Sequence, residues 1–195
     1  TWPDFLSGRD DFGAALGAML ADTLADFHKV TPAEVDLAEF GRPDGFLERA
    51  VVGWRKRMVL SCDDAPPKIG VEVADWLETN KVPDGLPTLL HNDFKLDNVL
   101  LDPKNLDPVA VLDWDQGTCG DPLFDLATLL SYWVEPDDPQ AMHDLEQMPS
   151  AGNGFPTRSE IVTRYAARSG RDVSNFLFHR VLAMFKLGVI FMQIF

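Results

Sequence analysis

Apolar residues recur at spacings of three and four over residues 10–29. Leu16, Leu20, Leu24 and Phe27 share a stripe, with Met19 beside it, which predicts an amphipathic helix. Asp10 or Asp11 is placed to cap it, and Thr31-Pro32 stops or redirects the chain. After a turn at Gly41-Arg42-Pro43-Asp44-Gly45, Leu47, Val51, Trp54 and Met58 mark a second helix. Beyond an Asp63–Pro67 linker, Ile69, Val73, Trp76 and Leu77 mark a third, shorter one. Pro83-Asp84-Gly85 closes this helical section.

The period then changes. Thr88 to His91 is a short apolar run leading into a polar loop, and Val99–Leu101 and Val109–Leu112 read as two strands. Turn residues from Asp102 to Pro108 join them, which predicts a hairpin. Gly120-Asp121-Pro122 opens a helix with Asp121 at its cap and Pro at its first position. That helix has Leu123, Leu126, Leu130 and Trp133 on one face and Phe124 alongside. Residues 135–156 read as loop with a short helix near 141–147. Thr157-Arg158-Ser159-Glu160 is a capping box for a helix ending near Ser169-Gly170. Val173 to Phe195 is apolar on most sides and is expected to be a central, buried helix. Its most apolar part, from Val181, is interrupted by Lys186 and Gln193 and is too short to span a bilayer. The expected class is α+β, mainly α, with one small β-hairpin carrying the polar residues, in a single domain over 1–195.

Composition narrows the function. The chain has 195 residues and a formal net charge of -14, which disfavours nucleic acid and anionic membranes as partners. Its 2 cysteines, Cys62 and Cys119, have no metal or disulfide spacing. With no leader-like N-terminus, the expected location is cytoplasmic. The chain begins on Thr1 and stops on Phe195 without a helix stop signal, so both ends are expected to be cuts through a longer chain.

The chemistry concentrates in His91-Asn92-Asp93-Phe94-Lys95-Leu96-Asp97-Asn98 and in Leu112-Asp113-Trp114-Asp115. Asp93 can accept the proton of an attacking hydroxyl. Asn98 offers a neutral oxygen and Asp113 a charged one, the donors magnesium favours alongside phosphate oxygens. Asp115, two residues on along an extended chain, would lie on the same side as a further metal ligand or an acceptor behind it. For any one of these residues a polar turn is the simpler account. Apolar strands that feed several carboxylates into one place, however, incur a cost that a cation would offset. His91 joins the catalytic group by holding the loop, its ring bonded to backbone or to Asp113. Lys95 either reaches a transferring phosphate or is a solvated loop lysine. Asp121 caps its helix, and Asp125, one turn later, can bond back to the catalytic loop. His28, His143 and His179 read as ordinary helix or surface histidines.

These two segments, with Gly120-Asp121-Pro122-Leu123-Phe124-Asp125-Leu126-Ala127, resemble the aminoglycoside phosphotransferase and choline kinase-like family. Phe40–Gly45 and Phe155–Arg158 more narrowly resemble kinase-like domains fused to acyl-CoA dehydrogenases. The resemblance implies the C-terminal lobe of a protein-kinase-like fold, with ATP and Mg2+ as cofactors. It makes Asp93 the base and Asn98 and Asp113 the magnesium ligands, with Asp115 at a position that is usually acidic or polar. It implies transfer of the γ-phosphoryl group to a hydroxyl of a small molecule: an aminoglycoside, an amino alcohol or a hydroxyacyl-type compound.

No glycine-rich strand-turn-strand and no strand lysine with a helix Glu partner precede the loop. The ATP-covering N-terminal lobe is therefore expected to lie outside this chain, leaving the nucleotide contacts unassigned. Apolar surface left where that lobe would sit would favour a homodimer. A kinase remnant acting as a binding or scaffold module is the alternative, and a magnesium-dependent phosphate hydrolase using Asp113 and Asp115 ranks last. Glu135, Asp137, Asp138 and Asp144 could suit a cationic acceptor, but a solvated acidic face is the preferred reading of them.

Overall fold

The computed structural model describes Leu6 and residues 12–62, 65–145 and 147–194. The expected caps Asp10 and Asp11, and Asp63-Asp64 of the linker, lie outside these. Among the described residues seven α-helices and four short strands follow one another: α1 (Phe12–Phe27), α2 (Phe46–Leu60), α3 (Lys68–Thr79), β1 (Thr88–Leu90), β2 (Val99–Leu101), β3 (Pro108–Val111), β4 (Thr118–Gly120), α4 (Pro122–Tyr132), α5 (Gln140–Asp144), α6 (Arg158–Ser169) and α7 (Phe176–Ile194). The class is α+β, mainly α.

α4 is the spine. All eleven of its residues are buried, so its apolar character runs right round and not only along the Leu123–Trp133 face. One side, with Leu126, Leu129 and Leu130, packs on α1 and α6 through Leu20, Leu24, Ile161 and Tyr165. The other, with Phe124 and Ala127, packs on α2, α3 and α7 through Leu47, Val51, Leu77, Leu182 and Ala183. A helix buried all round holds its neighbours in fixed relation, and whatever its first turn carries is held equally firmly.

The capping box at Thr157–Glu160 forms, and Gly170 ends α6 in a left-handed conformation. In α3 the buried face is Gly70, Ala74 and Leu77, while Ile69 is two-thirds exposed, so the expected stripe is turned by a residue. The reason is steric. A Cβ on Gly70 would meet Met58 Sδ at 2.5 Å, so small residues let α3 approach α2 closely although they add little to an apolar pattern. α7 buries His179, Leu182, Phe185 and Lys186 but exposes Leu177 and Ile194, so it is central along one side only.

β2 and β3 form the expected antiparallel hairpin, with Val99 opposite Val111. An unexpected strand, β4, pairs antiparallel with β1, placing Leu89 opposite Cys119 and Thr88 opposite Gly120. Gly120 lets α2 close onto this pair, since a Cβ there would meet the Phe46 ring at 2.5 Å. Phe46 in turn packs edge-on to Phe124, with centroids 5.5 Å apart. Gly120→Ala should therefore displace a partly buried ring and lower stability by about 1–3 kcal/mol. Urea unfolding would measure this, and a midpoint equal to the wild type's would refute the packing account.

Candidate functional site

β1 ends at Leu90 and the chain turns sharply through His91 and Asn92. Asn92 sits at φ 63°, a left-handed conformation that Asn tolerates better than most residues. Asp125, on the first turn of α4, holds that turn. Its Oδ2 accepts from the His91 amide at 2.7 Å and its Oδ1 from the Asn92 amide at 2.8 Å. Asp121, one turn earlier, caps α4 through the Leu123 amide (2.8 Å) and accepts from the Gly85 amide (2.7 Å).

The His91 ring ties the turn to the strand leading to Asp113. Its Nε2 donates to the Leu112 carbonyl at 2.8 Å, while its Nδ1 accepts from the Asp93 amide at 3.3 Å. The ring thus bonds to backbone, and Asp113 is not its partner. His91 is fully buried, against Trp114 at 4.6 Å.

Asp93 follows on the solvent side. Its Oδ1 accepts from the Tyr132 hydroxyl at 2.7 Å and its Oδ2 from Asn98 Nδ2 at 3.3 Å. Lys95 Nζ lies 3.6 Å from Oδ2 and 5.2 Å from the centroid of the Tyr132 ring. Lys95 is therefore drawn against the carboxylate and is not a solvated loop lysine. Burial, and then the bond to Asp93, push the Tyr132 hydroxyl well above its ordinary range, so it remains a donor.

Asn98 and Asp113 are brought together by the backbone. The Leu112 amide donates to the Asn98 carbonyl at 2.8 Å, so Asp113 is the next residue along from that junction. Asn98 spends its amide nitrogen on Asp93, also donating to the Asp93 carbonyl at 2.8 Å, which leaves its oxygen for a ligand. Asp113 is exposed and makes no side-chain hydrogen bond among the described residues. An uncommitted amide oxygen beside an uncommitted carboxylate suits a hard cation. Asp113 has φ 62°, which ends the extended run. The two-residue alternation expected to bring Asp115 to the same side therefore does not apply. Among the described residues no cluster of three or more His, Cys, Asp or Glu is arranged to hold a metal, so a cation here would need phosphate or water oxygens as well.

The phosphotransferase enzyme family model matches residues 6–161. The chain belongs to that family. Acyl-CoA dehydrogenase family member 11 of Mus musculus is 33% identical over 179 residues, which is 90% of this chain and 23% of that protein. Acyl-CoA dehydrogenase family member 10 of Mus musculus is 26% identical over 178 residues, again 90% of this chain but 16% of that protein. The chain thus spans about a quarter or less of these relatives. In fold it is similar to a Ralstonia eutropha structure assigned to the aminoglycoside phosphotransferases. The TM-score is 0.82 at 24% identity, covering 100% of this chain and 59% of that one. It also resembles aminoglycoside phosphotransferase APH(3'')-Id of Streptomyces rimosus, solved with ADP and streptomycin. There the TM-score is 0.52 at 19% identity, covering 91% of this chain and 66% of that one. These neighbours show that the chain has the kinase-like fold.

Two of the histidines read as ordinary helix or surface residues, His28 and His179, are buried and paired with carboxylates. His28 is buried, with Nε2 3.3 Å from Asp125 Oδ2 and Nδ1 2.7 Å from the Tyr165 hydroxyl. Burial lowers its pKa against the opposing pull of Asp125, so the ring is neutral: Nε2–H donates to Asp125 and Nδ1 accepts from Tyr165. Burial would raise the Asp125 carboxyl, but His28 and the two loop amides outweigh it and hold the group below its usual range. His179 is likewise buried, its Nε2 3.3 Å from Asp121 Oδ1.

Glu135 and Asp138 are tied up by Arg158, with the Glu135 contact at 2.9 Å, so they are neither a solvated face nor free to meet a cationic substrate. Lys186 is the other residue without a motif. Its Nζ donates to the Asn92 carbonyl at 2.6 Å from inside α7, and burial lowers its pKa to about 8. One polar residue set within an apolar helical run was its only visible signal.

Proposed function

We propose that this domain transfers the γ-phosphoryl group of ATP to a hydroxyl of a small molecule, with Asp93 as the base. The observation that carries the reading is the Asp93 carboxylate, which is oriented by Tyr132 and set beside the Asn98–Asp113 donor pair. Asp93 takes the hydroxyl proton as the oxygen bonds to the γ-phosphorus. The bond from that phosphorus to the β–γ bridging oxygen breaks, and ADP leaves. Asn98 and Asp113 would hold Mg2+, which when bound neutralises charge on the phosphates. Lys95, at 3.6 Å from Asp93, can place a positive charge near the transferring group. His91 and Asp125 position the loop without touching the reactants. Most of the rate enhancement would come from alignment and charge.

The test is acceptor-dependent release of ADP from Mg-ATP with a panel of alcohols, the phosphorylated product being read by phosphorus NMR. A new phosphomonoester supports the reading. Failure to bind ATP or ADP with magnesium present would replace it with a non-catalytic binding module.

A further inference from the structure

A hollow of about 530 Å³ opens beside the catalytic loop, between α2, the residues before it and α7. Its wall includes Arg42, Arg49, Arg57 and Lys186, with Asn92 and Gln116 from the loop side. Among the described residues no acidic one lines it, although the chain carries 31 Asp and Glu. Arg55, Arg158, Arg164 and Arg168 all pair with carboxylates, whereas Arg42, Arg49, Arg57 and Lys186 have no ion pair among the described residues. Arg49 donates to the Asp44 and Arg42 carbonyls, fixing the turn that carries Arg42. Arg57 lies over the Trp54 ring at 4.4 Å.

Four cations without a contact ion pair around one cavity of an acidic protein repel one another, and an anion that enters would relieve this. A second observation also points to a ligand. Asn92 is nine-tenths buried, and among the described residues its Oδ1 accepts no hydrogen bond, while its Nδ2 donates to the Gln116 carbonyl at 3.0 Å. A buried acceptor without a donor is costly, and Asn92 stands on the wall of the hollow. Lys186 links the two features. It lines the hollow and also holds the Asn92 carbonyl, one residue before Asp93.

We propose that this hollow is the acceptor site and that the acceptor is an anionic alcohol. Its phosphate-type oxyanion is held by Arg42, Arg57 and Lys186, and a hydroxyl faces Asn92 and Asp93. The assignment rests on the phosphotransfer reading. Phe46, Trp54 and Phe124 supply an apolar wall for the carbon body of such a molecule.

The same oxyanion chemistry could come from the nucleotide's own phosphates, and the experiment separates the two. Inorganic pyrophosphate is titrated by calorimetry into the wild type and into the Arg42→Gln/Arg57→Gln double variant, with and without saturating ADP. Both arginines are exposed, so the variant should fold, and its melting temperature is checked first. The expected result is one pyrophosphate per chain, bound at least about tenfold more weakly by the variant, as for loss of a charge-assisted hydrogen bond. ADP should leave the pyrophosphate affinity unchanged within twofold. No binding to the wild type, or equal affinity in the two proteins, overturns the oxyanion site. Displacement of pyrophosphate by ADP overturns its assignment to the acceptor. If neither protein binds ADP with magnesium, the phosphotransfer reading fails, while the pyrophosphate comparison still decides the site.

Discussion

Asp93→Asn should lower kcat by about 10²- to 10⁴-fold, the usual contribution of a positioned general base. The substitution keeps the shape of the side chain and keeps an oxygen to accept from the Tyr132 hydroxyl, which lies 2.7 Å from Oδ1. It removes the charge that draws Lys95 to 3.6 Å and the lone pair that would take the proton. The fold should be indifferent, because Asp93 is at the solvent edge of the loop while the buried anchors are His91 and Phe94. Tyr132→Phe makes the matched comparison. It leaves the base in place but frees one of its oxygens, so kcat should fall only about tenfold as alignment loosens. Saturating kinetics with any responsive acceptor, alongside thermal melts, would measure both. An Asp93→Asn protein that keeps more than a tenth of wild-type kcat rules Asp93 out as the base.

Asp125→Ala should be the most destabilising single change near the site, at about 3–5 kcal/mol. The carboxylate is fully buried and accepts two backbone amides at 2.7 and 2.8 Å, with His28 at 3.3 Å. Truncation leaves both amides unpaired in the interior, at about 1–3 kcal/mol each. It also removes the hold on Asn92, whose left-handed backbone needs one. Against a total stability of about 5–15 kcal/mol, such a loss would leave a marginal protein. Urea unfolding read by tryptophan fluorescence is the measurement. A loss below about 1 kcal/mol would mean that the loop is held by something other than Asp125.

Much of the site could be read from the chain because its polar residues are contiguous. His91 to Asn98 and Leu112 to Asp115 lie in two short runs bracketed by apolar strands, and the turn residues between them imply the hairpin that joins Asn98 to Leu112. Tyr132, Lys186 and His28 were not legible in that way. They come from α4, α7 and the end of α1, and each occupies a place in a helical pattern that explains it locally. What singles them out is a partner at the site, Asp93 for Tyr132, Asn92 for Lys186 and Asp125 for His28, 39, 94 and 97 residues away, for which spacing carries no signal. β4 was missed for a different reason: Thr-Cys-Gly is too short to show alternation, and only its partner β1 makes it a strand. Asp115 shows the converse error, because an extended run was assumed where Asp113 turns left-handed.

The pairing of Leu89 with Cys119 has a practical side. Cys119 is buried and its thiol is pushed above the ordinary range by burial, whereas Cys62 is partly exposed. A thiolate reagent should label Cys62 promptly and reach Cys119 only when β1 and β4 separate, two residues from His91. The fold thus contains its own chemical clock: the labelling rate of one native sulfur reports the opening of the strand leading to the active loop, with no cysteine engineered in.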